Sequence, residues 1–289
     1  MSATRAGDLV RSAAAELAAA GVESPAVDAR LLLAHVLDLD PGRLLLDPAV
    51  EEDDRAVFEA LIARRAGREP LQHLTGKAYF RHHELAVGPG VFVPRPETEV
   101  MTGWAIERLR ELIAAGRVPR AVDLCSGSGA IAASLATEAA PTRVIAVELS
   151  TEAATYARAN LAGTGAELVV ADMAAALPGE TGTVDLVIAN PPYIPLDAYA
   201  SVAPEARDHD PTVALFSGDD GLDAIRVLVD VAARLLVDGG LLCFEHADAQ
   251  GEAAPGVVLA STEFHTVRDR RDLSGRPRFV TAVRRARAR

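Results

Sequence analysis

Val184-Asp185-Leu186-Val187-Ile188-Ala189-Asn190-Pro191-Pro192-Tyr193 reads as a buried strand that ends in a rigid, polar turn. All but one of its first six residues are apolar, the pattern of a parallel strand covered on both faces. Open α/β sheets bind ligands beyond the carboxyl ends of their strands, which puts Asn190 at a ligand position. A following proline drives Asn190 out of the helical region into an extended conformation. Pro191 and Pro192 have no N–H, so the backbone here offers carbonyl acceptors only. With the Asn190 side-chain oxygen these make a ring of acceptors, and Tyr193 adds an aromatic wall. Such a site suits a planar NH2 group, whose two hydrogens need acceptors and whose face takes a ring. Taken alone, the tetrapeptide is equally consistent with a proline-rich turn after a strand. The rest of the chain separates the two.

On either side, strand-like and helical patterns alternate, the signature of a doubly wound α/β sheet. Strands are predicted at 121–125, 143–148, 167–171, 184–189, 239–245, 263–268 and 278–284. Helices are predicted near 130–138, 151–162, 221–236 and 248–253. Residues 190–219 form the main loop, and a loop of that length in a compact domain is usually functional.

Asp123-Leu124-Cys125-Ser126-Gly127-Ser128-Gly129 follows the first of these strands and opens a helix. Glycines there let the backbone approach a ligand closely. Gly127-x-Gly129-x-x-Ala132 also matches a dinucleotide fingerprint, so the loop by itself leaves NAD and other nucleoside cofactors open. Glu148, at the end of the second strand, is an acceptor for ribose hydroxyls. Asp172, after the third, is either an acceptor for an adenine amino group or an ordinary capping aspartate.

Residues 1–75 read as helical. Arg5–Ala20 has helical spacing and stops at Gly21, and Ser24-Pro25 starts a helix through Leu39. Pro41-Gly42 breaks it, a short Leu44-Leu45-Leu46 segment follows, and Glu51–Ala66 makes another amphipathic helix. Its acids fall in the first turn, where the helix dipole favours them. Eight arginines against thirteen acids leave this region at −5, with nothing catalytic in view. A small bundle for recognition or packing is expected. From 76 to 95, short apolar runs at 78–80, 84–87 and 91–93 are separated by turn residues and read as a hairpin connector. Pro94-Arg95-Pro96-Glu97-Thr98-Glu99 closes it and opens a helix to about Ala115.

Composition narrows the function. The net charge of −12 argues against broad phosphate-backbone binding. Residues 267–289 are the exception, with nine arginines against two aspartates, and read as a solvated strand edge and tail, or less simply as a contact for an RNA-rich partner. No uncharged apolar run approaches the ~18–20 residues of a membrane span, and no signal peptide precedes the first helix, so a cytoplasmic location is expected. Cys125 and Cys243 lack metal-ligand spacing and read as reduced core thiols. The seven histidines form no paired ligand pattern, so no metal site is expected.

Taken together, these positions make the chain resemble the N5-glutamine methyltransferase family that modifies peptide-chain release factors. The likeness spans nearly the whole chain. It rests on Glu69-Pro70 with Leu74-Thr75-Gly76, on Pro94 to Glu99, on the glycine loop, on Asn190-Pro191-Pro192-Tyr193, on Gly221-Leu222-Asp223, and on Glu245 with Gln250. The tetrapeptide also occurs in DNA adenine methyltransferases, whereas the Pro94–Glu99 segment with a helical N-terminal region is far more specific. The sequence departs from the family at Cys125, usually glycine, at Glu148, usually aspartate, and at Ala247, usually glycine.

The resemblance implies a helical recognition domain at 1–75, a β-hairpin connector at 76–95, and a Rossmann-like methyltransferase domain at 96–289. It implies S-adenosylmethionine as cofactor, S-adenosylhomocysteine as product, and the Gly-Gly-Gln loop of class-1 release factors as partner, with no nucleic-acid substrate. Asp123, Cys125, Ser126, Gly127, Gly129, Glu148, Asp172 and Asn190 are the implied cofactor contacts. Asn190, Pro191, Pro192, Tyr193, Arg95 and Pro96 are the implied substrate contacts, with Asn190, Pro191 and Tyr193 catalytic. Three other classes compete. A nucleic-acid amino-methyltransferase would share the NH2 chemistry, but the acidic charge speaks against it. A non-catalytic binding module fits poorly with an intact tetrapeptide, and an NAD-dependent dehydrogenase matches the glycine loop alone.

Overall fold

The computed structural model describes residues 4–287. The outermost residues of the expected first and last domains, and Arg289 of the basic stretch, lie outside them. The chain up to Lys77, joined by Ala203–His209, makes one compact unit, and Ala78–Val202 with the chain from Asp210 onward makes the other.

The first unit holds β1 (Thr4–Arg5), α1 (Ala6–Ala19), α2 (Pro25–Val36), β2 (Ala49–Val50), α3 (Glu52–Ala66) and α4 (Leu71–Thr75). Leu9, Ala13 and Leu17 recur at helical spacing on α1 and are buried with Leu32 and Leu33 of α2 and Phe58 and Ile62 of α3. Pro25 stands at the first position of α2, where a missing N–H costs nothing. Leu44-Leu45-Leu46 lies in a short 3-10 helix whose Leu44 is buried, while Leu45 and Leu46 are exposed. Arg65, itself buried, donates to Asp28, to the Glu69 carbonyl and to Glu205, and Arg68 forms a two-point pair with Glu205.

The second unit begins within β3 (Lys77–Phe80), which pairs with β4 (His83–Ala86) and is followed by α5 (Thr98–Ala114). Residues 91–93 are not a strand: Val91 and Val93 are buried against Ala153 without a ladder partner. Then come β5 (Arg120–Leu124), α6 (Ala130–Glu138), β6 (Arg143–Glu148), α7 (Thr151–Leu161), β7 (Glu167–Val170) and β8 (Val184–Ala189). The chain crosses into the first unit for α8 (Pro204–His209) and returns with α9 (Thr212–Leu215), α10 (Asp223–Leu235), β9 (Leu236–Glu245), α11 (Ala253–Ala260), β10 (Phe264–Arg271) and β11 (Pro277–Arg284).

The helix expected at 248–253 divides into a 3-10 turn at Asp248–Gln250 and α11 beyond it. Pro255 falls in the first turn of α11, where it is tolerated.

Seven strands form one sheet in the order β10-β11-β9-β8-β5-β6-β7, parallel from β9 to β7 and antiparallel at the β11 and β10 edge. Side chains alternate between its faces. Val122, Leu124, Val187 and Ala189 pack with Leu228 and Leu235 of α10, while Ala121, Leu186 and Ile188 pack with Met101 of α5 and Leu135 of α6. The strand order reverses between β5 and β8, where Leu124 pairs with Ala189. Open sheets bind ligands at such a reversal, and both sequence motifs emerge there side by side.

Several arginines of the basic stretch are spent on the fold. Arg284 is buried and donates to the Ala233 and Glu263 carbonyls, Arg278 donates to Asp272, and Arg270 lies 5.4 Å from the Trp104 ring centroid.

Candidate active site

A cavity opens at the carboxyl edge of β5, β6 and β8, entirely within the second unit. Of the residues singled out from the sequence, Arg95, Cys125, Ser126, Gly127, Glu148, Asp172, Asn190 and Pro192 line it. Asp123, Gly129, Pro191, Tyr193 and Pro96 do not.

Asp123 lies beneath the glycine loop, fully buried. Its Oδ2 accepts from the Ser126 hydroxyl at 2.6 Å and from the Ala132 N–H at 3.1 Å, so it ties the loop to the first turn of α6. Burial pushes its carboxyl up to about 7, against the pull of those donors. The loop itself needs left-handed backbone. Gly127 has φ +56 with nothing within 4 Å of where a Cβ would stand, so its surroundings leave room for a ligand against the backbone. Cys125 adopts φ 60 despite its side chain, and its Sγ lies 3.8 Å from Met173 Sδ. It is therefore a wall of the cavity, whereas Cys243 is a core residue. Both are free thiols.

Glu148 accepts from the Gly127 N–H through one oxygen and the Ser150 N–H through the other, each at 2.7 Å. A carboxylate has about four acceptor sites. The Leu149 N–H also donates to this carboxylate, which leaves acceptor capacity for a ligand hydroxyl. Burial raises its carboxyl above the usual range, and the backbone donors act the other way. Asp172 is exposed, and its Oδ1 accepts from the Ala174 N–H at 2.8 Å, so it caps a turn as well as lining the cavity.

Asn190 follows β8. Its Nδ2 donates to Thr98 Oγ1 at 3.3 Å, and Thr98 Oγ1 donates to Glu245 Oε2 at 2.6 Å. Tyr193 turns away from the cavity, contrary to the aromatic wall expected of it. Its hydroxyl donates to Glu245 Oε1 at 3.1 Å, and its ring packs against the core. Pro96 is exposed in the turn before α5. Arg95 donates to Asp210 at 2.8 Å and lies 5.0 Å from the centroid of the Phe92 ring, which is itself a cavity wall.

Four residues of the sequence motifs that had no assigned role converge behind the tetrapeptide. Thr98 and Glu245 form the relay just described. Gln250 is buried, donating to the Tyr193 and Asp220 carbonyls and accepting from the Ala247 N–H. Gly221 sits under the same Tyr193 carbonyl. The family resemblance singles out all four, and a glutamate closing the apolar run Leu241-Leu242-Cys243-Phe244 is a further sequence signal that points there.

Residues 8–76 match the family model of the PrmC N-terminal domain, and residues 121–209 match that of a methyltransferase domain. A release factor glutamine methyltransferase of Streptomyces coelicolor is 50% identical over 273 residues, covering 94% of this chain and 96% of the relative. The chain belongs to the release factor glutamine methyltransferase family. A second family member, from Mycolicibacterium smegmatis, is 48% identical and covers 99% of this chain and 100% of its own. A relative from Streptomyces pristinaespiralis, 44% identical over 86% of this chain and 85% of its own, is a 4-amino-L-phenylalanine/4-methylamino-L-phenylalanine methyltransferase. As a release factor glutamine methyltransferase family member the chain is an S-adenosylmethionine-dependent methyltransferase, and the open backbone at Gly127 with the spare acceptor capacity of Glu148 suits that cofactor. Among the described residues no helix is long and apolar enough to cross a membrane, and no cluster of side chains is placed to hold a metal ion.

Proposed function

We propose that this enzyme methylates the side-chain amide nitrogen, N5, of the glutamine in the Gly-Gly-Gln loop of class-1 peptide chain release factors, in the cytoplasm. The observation that carries this reading is the orientation of the Asn190 carboxamide. Thr98 has one hydroxyl hydrogen and gives it to Glu245, so it accepts from Asn190 Nδ2. That leaves Asn190 Oδ1 as the acceptor for a substrate NH2. The names of the relatives supply the acceptor class.

An amide nitrogen is a poor nucleophile because its lone pair is delocalised into the carbonyl. Asn190 Oδ1, at the cavity wall, accepts from one of its N–H bonds, orients it, and favours the positive charge that develops on it. S-adenosylmethionine, when bound, supplies an electrophilic methyl group. The glycine loop, Glu148 and Asp172 hold the nucleoside, and Phe92 and Pro192 exclude water around the reacting atoms. The proton leaves after transfer, so no strong general base is required. The helical unit, which contains no cavity-lining residue, serves recognition of the intact partner.

The test is single-turnover methyl transfer to release factor by Asn190→Ala and Asn190→Asp, with cofactor affinity measured on the same preparations. Loss of one preorganised acceptor lowers turnover by ~10²–10³. Asn190→Ala should show that loss with cofactor affinity within about threefold of wild type. Asn190→Asp keeps an acceptor but adds a charge that must be desolvated, and should fall between the two. Near-normal turnover in Asn190→Ala would defeat the reading. Running 4-amino-L-phenylalanine beside release factor tests the acceptor class of the third relative. Preference for the free arylamine would overturn the protein substrate.

A further inference from the structure

Behind Asn190 lies a buried hydrogen-bond relay that joins three distant parts of the chain. Thr98 is the first residue of α5, Glu245 ends β9, and Tyr193 closes the tetrapeptide after β8. Thr98 and Glu245 are 4% and 1% exposed, so water does not compete for their polar atoms. Glu245 accepts from Thr98 on one oxygen and from Tyr193 on the other, and Thr98 in turn accepts from Asn190.

Direction matters here. Burial raises the Glu245 carboxyl, while Thr98, the nearby charge of Arg278 and Tyr193 act the other way and favour its ionised form. As a carboxylate it only accepts, so it takes the single Thr98 hydrogen and leaves Thr98 as an acceptor. An asparagine side chain has an oxygen end and an NH2 end of nearly the same shape. Only the NH2 end can donate to Thr98. The relay thereby selects one of the two amide orientations, the one that keeps Oδ1 for the ligand. With the relay removed, the flipped carboxamide would present donors to a substrate NH2, which also carries donors.

We propose that Thr98 and Glu245 are positioning residues that set the orientation of the Asn190 carboxamide and thereby the rate of methyl transfer. The proposal rests on the reading of Asn190 as the acceptor for the reacting amide. Neither residue needs to touch the methyl donor, so the effect belongs in turnover and not in cofactor affinity.

Thr98→Val replaces the hydroxyl with a methyl of similar size, and Thr98→Ser keeps the hydroxyl. Both are tested as the full-length chain with release factor as acceptor, alone and combined with Asn190→Ala. Misplacing a reacting group typically costs ~10- to 100-fold. Thr98→Val should lose turnover in that range, with S-adenosylmethionine affinity within about threefold, while Thr98→Ser stays within about threefold of wild type in both. In the Asn190→Ala background Thr98→Val should have no further effect, because the group it orients is gone. If Thr98→Val is not obtained folded, Glu245→Gln carries the same cycle, with a smaller loss because its amide oxygen still accepts.

Wild-type turnover in the relay variant, with Asn190→Ala impaired, overturns the positioning role and leaves the tetrapeptide reading standing. Equal losses in both backgrounds also overturn it, since the relay would then act independently of Asn190. Full turnover in Asn190→Ala itself removes the underlying reading, and the positioning proposal with it.

Discussion

Gly221 lies directly beneath the carbonyl of Tyr193: a Cβ at that glycine would come within 2.2 Å of the carbonyl oxygen and 2.7 Å of Gln250 Nε2. The turn before α10 is thus packed against the backbone of the tetrapeptide, with Gln250 bridging the two. Gly221 also has φ +74, a conformation that costs a side-chain-bearing residue ~1–2 kcal/mol. Gly221→Ala should therefore lower stability by at least that much and displace the tetrapeptide. Thermal unfolding should shift down, and single-turnover methyl transfer should fall by about 10²-fold, the cost of misplacing a reacting group. Cofactor affinity, held elsewhere in the cavity, should change far less.

Glu148 supports backbone amides as well as facing the cavity. A hydrogen bond to a charged group is worth roughly 1.5–3 kcal/mol. Glu148→Ala should weaken S-adenosylmethionine binding at least tenfold by calorimetry, and Glu148→Gln, which keeps one acceptor, should weaken it less. Unchanged affinity in a folded Glu148→Ala protein would remove Glu148 from the cofactor site.

Asp123 carries a pH signature. Its carboxyl is pushed up to about 7 by burial, while an unfolded aspartate titrates near ~3.9. Between those values the folded chain keeps a proton that the unfolded chain releases. Stability therefore falls as pH rises through that window, and the cost is complete above pH ~7. Asp123→Asn retains an oxygen for Ser126 and Ala132 but does not titrate. Denaturant unfolding from pH 4 to 8 should show wild type losing roughly 3 kcal/mol relative to this variant. Parallel profiles would refute the assignment.

Glu205 is a carboxylate shared by Arg65 and Arg68. Burial alone would raise its carboxyl, but Arg68, its own backbone N–H and Arg65 together outweigh that and hold it below the usual range. Glu205→Ala leaves Arg65 to Asp28 and the Glu69 carbonyl and exposes Arg68 to solvent. Breaking a partly buried pair of this kind should cost about 1–3 kcal/mol of stability. On the proposed recognition role of the helical unit, turnover on a glutamine-containing peptide should respond less than turnover on intact release factor. Equal losses on both would tie Glu205 to the chemistry instead.

The parallel strands were legible because each is a short apolar run bounded by turn residues, and β8 with its Asn190-Pro191-Pro192 turn is the clearest case. The same signal misplaced residues 91–93, since Val91 and Val93 are buried by packing on Ala153 and not by a sheet. In the site, the cavity walls at Gly127, Glu148 and Asn190 could be named from strand ends. The relay could not: Thr98 and Asn190 are 92 positions apart, and Thr98 and Glu245 are 147 apart. Tyr193 shows the limit from the other side. Its place in the tetrapeptide suggested a ring for stacking, but only the fold shows its hydroxyl engaged by a buried carboxylate.

The passage of Ala203–His209 into the helical unit makes the chain change units three times, after Lys77, after Val202 and after His209. No single cut therefore yields two closed modules. Cleavage after Lys77 would leave Glu205 on one fragment and Arg65 and Arg68 on the other, two complementary halves of one ion-pair cluster. Co-expressed, such fragments have a built-in reason to find each other, which makes that junction a natural place to split the enzyme so that turnover on intact release factor reports reassembly.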